Sequence, residues 1–425
     1  MRIAFFTNEY PPHVYGGAGV HVEYLSRELA RADGGAHHVE VLCFGEQNET
    51  HGNLSVRGVA PAVRFAAQDP RHARLLDALV RDLAMVGAVE APDIVHCHTW
   101  YSHLAGCLAR PLTLGKLVLT THSLEPHRPW KVEQLGTAYH ATTWIERTAY
   151  QNADGVIAVS KAMKDDVQTL YGVAPERVRV IHNGIDPDEY QPRPAPATLR
   201  RLGIDPDVPI VLFVGRITRQ KGILHLVRAI RHLQPGVQVV LCAGAPDTEA
   251  IEAEMTALVA TVKREATAHI VWIPETLPKE DIISLYTHAA VFVCPSVYEP
   301  FGIINLEAMA CETPVVAAAV GGIPEIVIPG ETGTLVAFDA VEDASGEPKD
   351  PDAYSRALAA AIDELIANPE RRARMGRSGR LRVLAEFSWR QIAKITLDFY
   401  HELLAGELGA SKVRRVPGAG YATVD

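Results

Sequence analysis

Two glutamates, Glu299 and Glu307, flank the segment of the chain that could hold an anion. Glu299 lies in a Pro/Gly turn, and the residues after it predict a helix that carries Glu307 about one turn inside it. Free N–H groups at a helix N-terminus bind anions, whereas carboxylates beside them would repel an anion. The carboxylates are useful if they hold hydroxyl groups of a ligand whose phosphates rest on the intervening amides. This pattern predicts a sugar nucleotide as the ligand.

Two cations five positions apart, Arg216 and Lys221, follow a predicted buried strand over residues 210–214. Arginine offers a planar fork for phosphate oxygens, and lysine offers a compact charge. Ligands of open α/β sheets bind beyond the carboxyl ends of the strands. We therefore expect both cations to neutralise a departing diphosphate, although two surface cations on a loop would have the same spacing.

A glycine-rich loop with Gly16 and Gly17 lies between the first predicted strand and the first predicted helix. The glycines allow backbone to approach a ligand closely, but no third glycine completes a dinucleotide-binding fingerprint.

His122 also follows a predicted strand and could stabilise developing charge or bond a sugar hydroxyl; a strand-end histidine bonded to backbone is the alternative. Asn183 lies in a tight turn that could reach the same cleft, or could serve the turn alone.

Three tryptophans, Trp100, Trp130 and Trp144, fall within 45 residues of sequence. Flat apolar rings with a polar edge suit stacking on sugars, and core packing explains them equally well. His96 and His98 resemble a metal pair, but strand alternation places both on one sheet face, and no neighbouring carboxylate cluster completes a site. We predict no metal.

The bulk composition excludes several classes of protein. A chain of 425 residues is too long for one ordinary core, which predicts two domains. The net charge of −10 without a basic stripe argues against nucleic acid and anionic membranes as partners. Six widely spaced cysteines without a Cys-x-x-Cys pair predict reduced, buried thiols. The short apolar run at the start and the lack of a bilayer-length segment predict a cytoplasmic protein.

Short apolar runs alternate with amphipathic segments in both halves of the chain, which predicts two doubly wound, Rossmann-like α/β domains facing across a cleft. The predicted organisation is an N-terminal domain over 1–190, a proline-dense linker over 191–196, a second domain over 197–388, a final helix over 389–406 and a loose tail over 407–425. The predicted strands are 3–6, 39–44, 94–96, 117–121, 155–159 and 178–181, then 210–214, 238–243, 269–273, 291–294 and 313–317.

These motifs together resemble the retaining glycosyltransferases of the GT-B fold, and more narrowly the short bacterial glycogen synthases. The resemblance covers nearly the whole chain. Its most specific segments are residues 9–17, 121–123, 182–186, 215–222 and 299–308.

The resemblance implies a role for each site residue. It implies a metal-independent enzyme without a cofactor, domain closure during turnover, front-face transfer, and a final helix that crosses back to the first domain. Glu299 as a covalent nucleophile is less favoured. One departure is Val14, where longer synthases have a lysine that contacts phosphate. The implied donor-binding residues are Arg216 and Lys221 at the diphosphate, Glu307 at the ribose, Glu299 with the amides of Phe301, Gly302 and Ile303 near the sugar, His122 on the other side of the sugar, and Gly16, Gly17 and Asn183 around the donor.

The activity implied first is transfer of glucose from ADP-glucose or UDP-glucose to the non-reducing end of an α-1,4-glucan. An alternative is transfer to glucose 1-phosphate, which makes maltose 1-phosphate. The candidate acceptor residues are Trp100, Arg128 and Trp130, and the bases His127 and Lys131 beside Trp130 could help to bind a phosphate. A nucleotide-sugar epimerase and a glucan-binding protein without catalysis are further alternatives. The sequence does not determine the nucleobase, the acceptor or the oligomeric state.

Overall fold

The computed structural model describes residues 1–60, 63–341 and 347–407. Its strands form two sheets, one in each half of the chain. Those of the first sheet are β1 Arg2–Thr7, β2 His38–Phe44, β3 Asn48–His51, β4 Leu54–Val59, β5 Ile94–His98, β6 Lys116–Thr121, β7 Gly155–Ala158 and β8 Val178–Val180. Those of the second are β9 Ile210–Arg216, β10 Gln238–Gly244, β11 His269–Ile273, β12 Ala289–Cys294, β13 Val315–Ala318 and β14 Gly333–Val336.

Helices cover both faces of each sheet, as apolar parallel strands require. They are α1 Gly17–Arg31, α2 Ala73–Ala88, α3 Trp100–Thr113, α4 Val132–Leu135, α5 Ala138–Asn152, α6 Lys161–Tyr171, α7 Pro196–Arg201, α8 Ile223–Ile230, α9 Glu249–Glu265, α10 Lys279–His288, α11 Ile303–Ala310, α12 Ile323–Ile326, α13 Pro351–Ile366, α14 Pro369–Glu386 and α15 Trp389–Leu404. Within the described ranges, no helix is long and apolar enough to cross a membrane.

The strand order is β3-β4-β2-β1-β5-β6-β7-β8 in the first sheet and β11-β10-β9-β12-β13-β14 in the second. All of these neighbours pair in parallel except β3 with β4. The order reverses at β1 and again at β9, and a crevice for ligands opens where the order of a doubly wound sheet reverses. The predicted fold class, two Rossmann-like domains with parallel sheets, is confirmed.

Three strands, β3, β4 and β14, were absent from the sequence prediction. The four residues of β3 are polar and fully on the surface, so they carry no alternating apolar pattern. A short hairpin of β3 and β4 extends the edge of the first sheet, and β14 is only four residues long. Edge strands of this kind depend on tertiary pairing more than on their own sequence.

The last described helix, α15, packs on the first half of the chain. The ring of Trp389 stacks against Tyr24 of α1 with a centroid distance of 5.8 Å. The hydroxyl of Tyr400 lies 2.6 Å from His96 Nδ1, on the first sheet. Gly155 accommodates this helix, because a Cβ there would stand 2.7 Å from Cζ of Phe399. Beyond residue 407, the predicted tail lies outside the described residues.

Candidate functional site

A cavity of about 500 Å³ lies between the two sheets, at the carboxyl ends of their strands. We call its second-half side, with Arg216, Lys221, Glu299 and residues 301–303, the C-terminal wall. We call its first-half side, with Arg74, Trp100, Tyr101, Arg128 and Lys131, the N-terminal wall. The cavity is also lined by Gly16, Gly17, His122 and Asn183, so the loops after β1 and β6 and the turn after β8 meet there.

Lys221 and Glu299 form an ion pair on the C-terminal wall. The Lys221 ammonium donates to Oε2 of Glu299 at 2.7 Å, and the Ser296 hydroxyl donates to the same oxygen at 3.0 Å. Gly222 makes this approach possible: its φ is +61°, and a Cβ there would lie 2.0 Å from the carbonyl oxygen of Pro295. The cation is therefore held by a buried carboxylate, which must share it when an anion binds.

Arg216 is held by two partners. Its guanidinium donates to Oδ1 of Asp247 at 2.7 Å and lies 4.2 Å from the ring centroid of Tyr15, with which it is also hydrogen-bonded. Tyr15 belongs to the first half of the chain, so this contact crosses the cavity. Burial raises the pKa of the Tyr15 hydroxyl, partly offset by the charge of Arg216. The sequence prediction missed Asp247, which precedes the N-cap of α9 like any turn residue.

The glycine-rich loop is fixed by a buried carboxylate. Oε2 of Glu9 accepts hydrogen bonds from the N–H groups of Tyr15 and Gly16, both at 2.8 Å. A Cβ on Gly17 would lie 3.5 Å from Cδ1 of Ile303, the first residue of α11. The loop and the N-terminus of α11 therefore face each other across the cavity, although the sequence assigned Glu9 no role.

The N-terminus of α11 has no side-chain cap and faces the cavity. Its N-cap residue, Gly302, has a φ of +106° and provides no side-chain cap. Glycine adopts a positive φ readily, and the neighbouring Phe301 is packed so that it is only 1% exposed. Because no side chain caps this helix, its first N–H groups are open to a ligand.

His122 belongs to a buried layer of imidazoles below the cavity. Its Nε2 lies 3.0 Å from His98 Nδ1, and its ring centroid is 4.7 Å from that of His21. His21 Nδ1 in turn lies 2.7 Å from Asn183 Oδ1. Burial lowers the pKa of His122 well below its usual value and that of His21 to about 4. These rings are neutral near pH 7, so His122 can act there as a hydrogen-bonding group.

The same three histidines offer ring nitrogens within 4.8 Å of one another. The sequence prediction did not foresee this group, because His21 lies far along the chain from His98 and His122. The hydrogen bonds to Asn183 and between His98 and His122 already use one nitrogen of each ring. No carboxylate belongs to this group within the described part of the chain.

Glu307 does not line the cavity among the described residues. It lies on α11, where the Tyr286 hydroxyl donates to its Oε2 at 2.9 Å and Tyr190 provides a second hydrogen bond. Burial raises the pKa of this carboxyl group, and the two tyrosines oppose that shift. The structure thus holds Glu307 between two tyrosines, outside the described cavity lining, and the sequence gave no sign of these partners.

The N-terminal wall contains two of the three predicted acceptor residues. Trp100 lines the cavity and stacks on Tyr101 with ring centroids 3.9 Å apart. Arg128 lines it too and is paired with the buried carboxylate of Glu125. Trp130 is not among the described lining residues, and its Nε1 is buried without a hydrogen-bond partner. The aromatic pattern could not reveal which indole faces inward.

Sequence comparisons place the whole chain among glycosyltransferases. Residues 15–189 match the family model described as Glycosyltransferase Family 4, and residues 196–382 match Glycosyl transferases group 1. The first match covers every strand of the first sheet except β1, and the second covers all strands of the second sheet. The two matches therefore meet near the proline-dense segment before α7.

Individual relatives span almost all of the chain. An α-maltose-1-phosphate synthase from Mycolicibacterium smegmatis is 47% identical over 413 residues, 95% of this chain and 100% of the relative. A glycogen synthase from Mycobacterium tuberculosis is 30% identical over 438 residues, 96% of each chain. Among solved structures, a sucrose-phosphate synthase from Thermosynechococcus elongatus superposes with a TM-score of 0.74 at 27% identity, covering 95% of this chain and 99% of that one.

Proposed function

The chain belongs to the glycosyltransferases of the GT-B fold, and from this membership we propose that it transfers glucose from a nucleoside diphosphate glucose to glucose 1-phosphate. The acceptor's 4-hydroxyl oxygen forms the new bond to the anomeric carbon of the donor glucose. The bond from that carbon to the diphosphate breaks, and the hydroxyl proton passes to the departing phosphate oxygen. The products are α-maltose 1-phosphate and a nucleoside diphosphate, with retention at the anomeric carbon.

The similarity to α-maltose-1-phosphate synthase carries this proposal. It reaches 47% identity over the relative's full length, against 30% for the glycogen synthase. The comparison therefore favours the alternative acceptor over the α-glucan that the sequence motifs suggested first.

The C-terminal wall supports the donor side of the reaction. Arg216, Lys221 and the first residues of α11 line the same cavity. Preorganised cations and N–H groups stabilise charge that develops on a leaving diphosphate, which is the main requirement when a glycosyl–phosphate bond breaks. We propose that these groups serve the leaving group without a divalent ion.

Glu299 and His122 line the cavity from its two sides. Lys221 and Ser296 both bond Oε2 of Glu299 and so fix the position of its carboxylate. A carboxylate held in this way can accept a hydrogen bond from a hydroxyl of the donor sugar. His122 is held neutral by burial and can bond a sugar hydroxyl from the other side. We propose that both orient the glucosyl group while the acceptor approaches from the face that the diphosphate leaves.

The test is a product analysis of the purified full chain. ADP-glucose and UDP-glucose are each supplied with glucose 1-phosphate, with glycogen and with no acceptor, and products are followed by ³¹P NMR and mass spectrometry. We expect a disaccharide phosphate only with glucose 1-phosphate. Incorporation into glycogen without a phosphorylated disaccharide would establish the polymer acceptor instead. In a separate reaction a UDP-amino sugar is supplied without an acceptor, and release of free UDP from it would indicate an epimerase.

A further inference from the structure

We propose that Arg74 and Lys131, on the N-terminal wall, bind the phosphate of the acceptor and thereby select a sugar phosphate over a neutral glucan. This inference rests on the proposed function, because it assigns the residues that recognise that acceptor. Arg74 was not a candidate from the sequence, since it lies on α2 within an ordinary amphipathic pattern. Lys131 ends a short turn immediately before α4.

The N-terminal wall has more positive than negative charge. Arg74 lies beside the Tyr101 hydroxyl, and Lys131 donates to Oε1 of Gln134 at 2.7 Å. Among the described residues, neither cation has a carboxylate within ion-pair distance. The nearby carboxylate of Asp77 is already bonded to Arg81 at 2.8 Å. Two cations thus face the cavity without a counter-ion.

Arg128 adds a third positive group but is balanced locally. It pairs with Glu125, which is 1% exposed, while its Nε is buried without a partner. Counting Arg74, Lys131 and Arg128 against Glu125 leaves a surplus of two positive charges. A phosphate monoester carries about −1.5 to −2 charges near pH 7, so its charge matches this surplus.

The environment of Lys131 also favours an anionic ligand. Its pKa is lowered to about 8, first by burial and then by the positive charges of Arg128 and Arg216, while Asp247 and Glu125 act in the opposite direction. A bound dianion would stabilise the ammonium form. A neutral glucan would leave the partly desolvated Lys131 without compensating charge, which is unfavourable for binding.

The donor diphosphate is a competing occupant of these cations, because Lys131 lies close enough to Arg216 to sense its charge. The wall geometry favours separate sites. Arg216 and Lys221 line the cavity with the N-terminus of α11, whereas Arg74 lines it with Trp100 and Tyr101 on the N-terminal wall. The kinetics of the variants distinguish the two occupants.

The experiment measures KM for glucose 1-phosphate and for the donor in Arg74→Gln and Lys131→Gln. Loss of one charge-assisted contact is expected to raise KM for the acceptor about 10- to 100-fold and to leave KM for the donor within about twofold. Inorganic phosphate should compete with glucose 1-phosphate in the unmodified enzyme and compete less in both variants. Arg71→Gln is the matched control, because Arg71 is paired with Asp69 and lies outside the cavity lining.

Each result has one meaning. An unchanged acceptor KM in both variants, or a rise in the donor KM alone, would overturn the phosphate site while leaving the proposed reaction intact. If the unmodified enzyme forms no disaccharide phosphate, the proposed function itself fails. Thermal melting of each variant verifies that it is folded. If the unmodified enzyme also transfers glucose to maltose, a neutral acceptor, the variants should keep that activity because it does not depend on the phosphate site.

Discussion

The two walls of the cavity hold their positive charges in different ways. On the C-terminal wall each cation has a carboxylate partner: Lys221 with Glu299 and Arg216 with Asp247, both at 2.7 Å. On the N-terminal wall Arg74 and Lys131 have no such partner among the described residues. A paired cation is preorganised, but an arriving anion must share it. An unpaired cation attracts anions more strongly and selects by charge.

Under the proposed function, this difference between the walls suits two binding tasks. A diphosphate that must bind, depart and be released is served by cations whose charge is already partly compensated. A small phosphorylated acceptor must be distinguished from abundant neutral sugars, and uncompensated charge provides that distinction. Substitutions on each wall should therefore produce different kinetic effects.

The largest effect is expected for Lys221→Ala. We expect kcat to fall about 10²- to 10³-fold at saturating donor, because the leaving diphosphate loses a preorganised cation. Stopped-time product assays measure the rate, and Lys394→Ala, which removes an exposed lysine paired with Asp398, is the control. Near-normal turnover at ordinary donor concentrations would show that this wall does not hold the leaving group.

Glu307→Ala should act on binding rather than on turnover. The family resemblance assigns Glu307 to the ribose, although the described cavity lining does not include it. On that assignment we expect the donor KM to rise about tenfold with little change in kcat, because a ribose contact contributes mainly to affinity. Tyr286→Phe removes only one hydrogen bond to Glu307 and should have a smaller effect. A loss of kcat with an unchanged donor KM would contradict the ribose assignment.

The charge state of Lys131 predicts a pH dependence for the N-terminal wall. Its pKa of about 8, lowered by burial, keeps the ammonium charged at pH 7 and lets it lose its proton as the pH rises above 8. KM for glucose 1-phosphate should therefore increase between pH 7 and pH 9, by about tenfold at most. Lys131→Arg, which stays charged, should flatten this increase. The same increase in that variant would assign the titration to another group.

Asp247→Asn should make a cation of the C-terminal wall resemble those of the N-terminal wall. Removing the carboxylate leaves Arg216 uncompensated, as Arg74 is, and we expect the donor KM to fall about threefold. Asp281→Asn is the control, because it breaks a similar pair with Arg201 outside the cavity. A raised donor KM would mean that Asp247 positions Arg216 more than it competes for it.

The smallest effect is expected from a chelator. EDTA should leave the transfer rate unchanged within about twofold, since the proposed role of the cations and amides needs no divalent ion. Loss of activity that only added metal restores would refute that role. Metal analysis of the purified protein would then direct attention to His21, His98 and His122.

Local patterns predicted the fold because most of the parallel strands are apolar runs followed by a turn. β9 and β12 are examples, since both are buried along most of their length and end next to polar residues. The exposed hairpin strand β3 has no such pattern, and it forms a strand only because it pairs with β4. The sequence thus specified the layers of the domains more fully than their edges.

The site was predictable where chemistry and strand ends coincide, as for Arg216, Lys221 and Glu299. It was not predictable where a residue matters through a distant partner. Asp247, Glu9 and Arg74 have ordinary local sequences, and only the folded chain places them beside Arg216, the glycine loop and Tyr101. Trp130 illustrates the opposite error: its residue type suggested sugar binding, but the sequence does not determine which way its side chain points, and it does not line the described cavity.

The position of α15 has a consequence for biosynthesis. Trp389, Phe399 and Leu403 belong to the same apolar cluster as Ile3 and Phe5. During translation the N-terminal sheet therefore emerges with part of one face uncovered and stays so until α15 has left the ribosome. Domains generally fold in the order of their synthesis, but here the N-terminal domain is completed only when α15 packs on it. A chain that stops before α15 would therefore leave an apolar surface of the N-terminal domain exposed to aggregation.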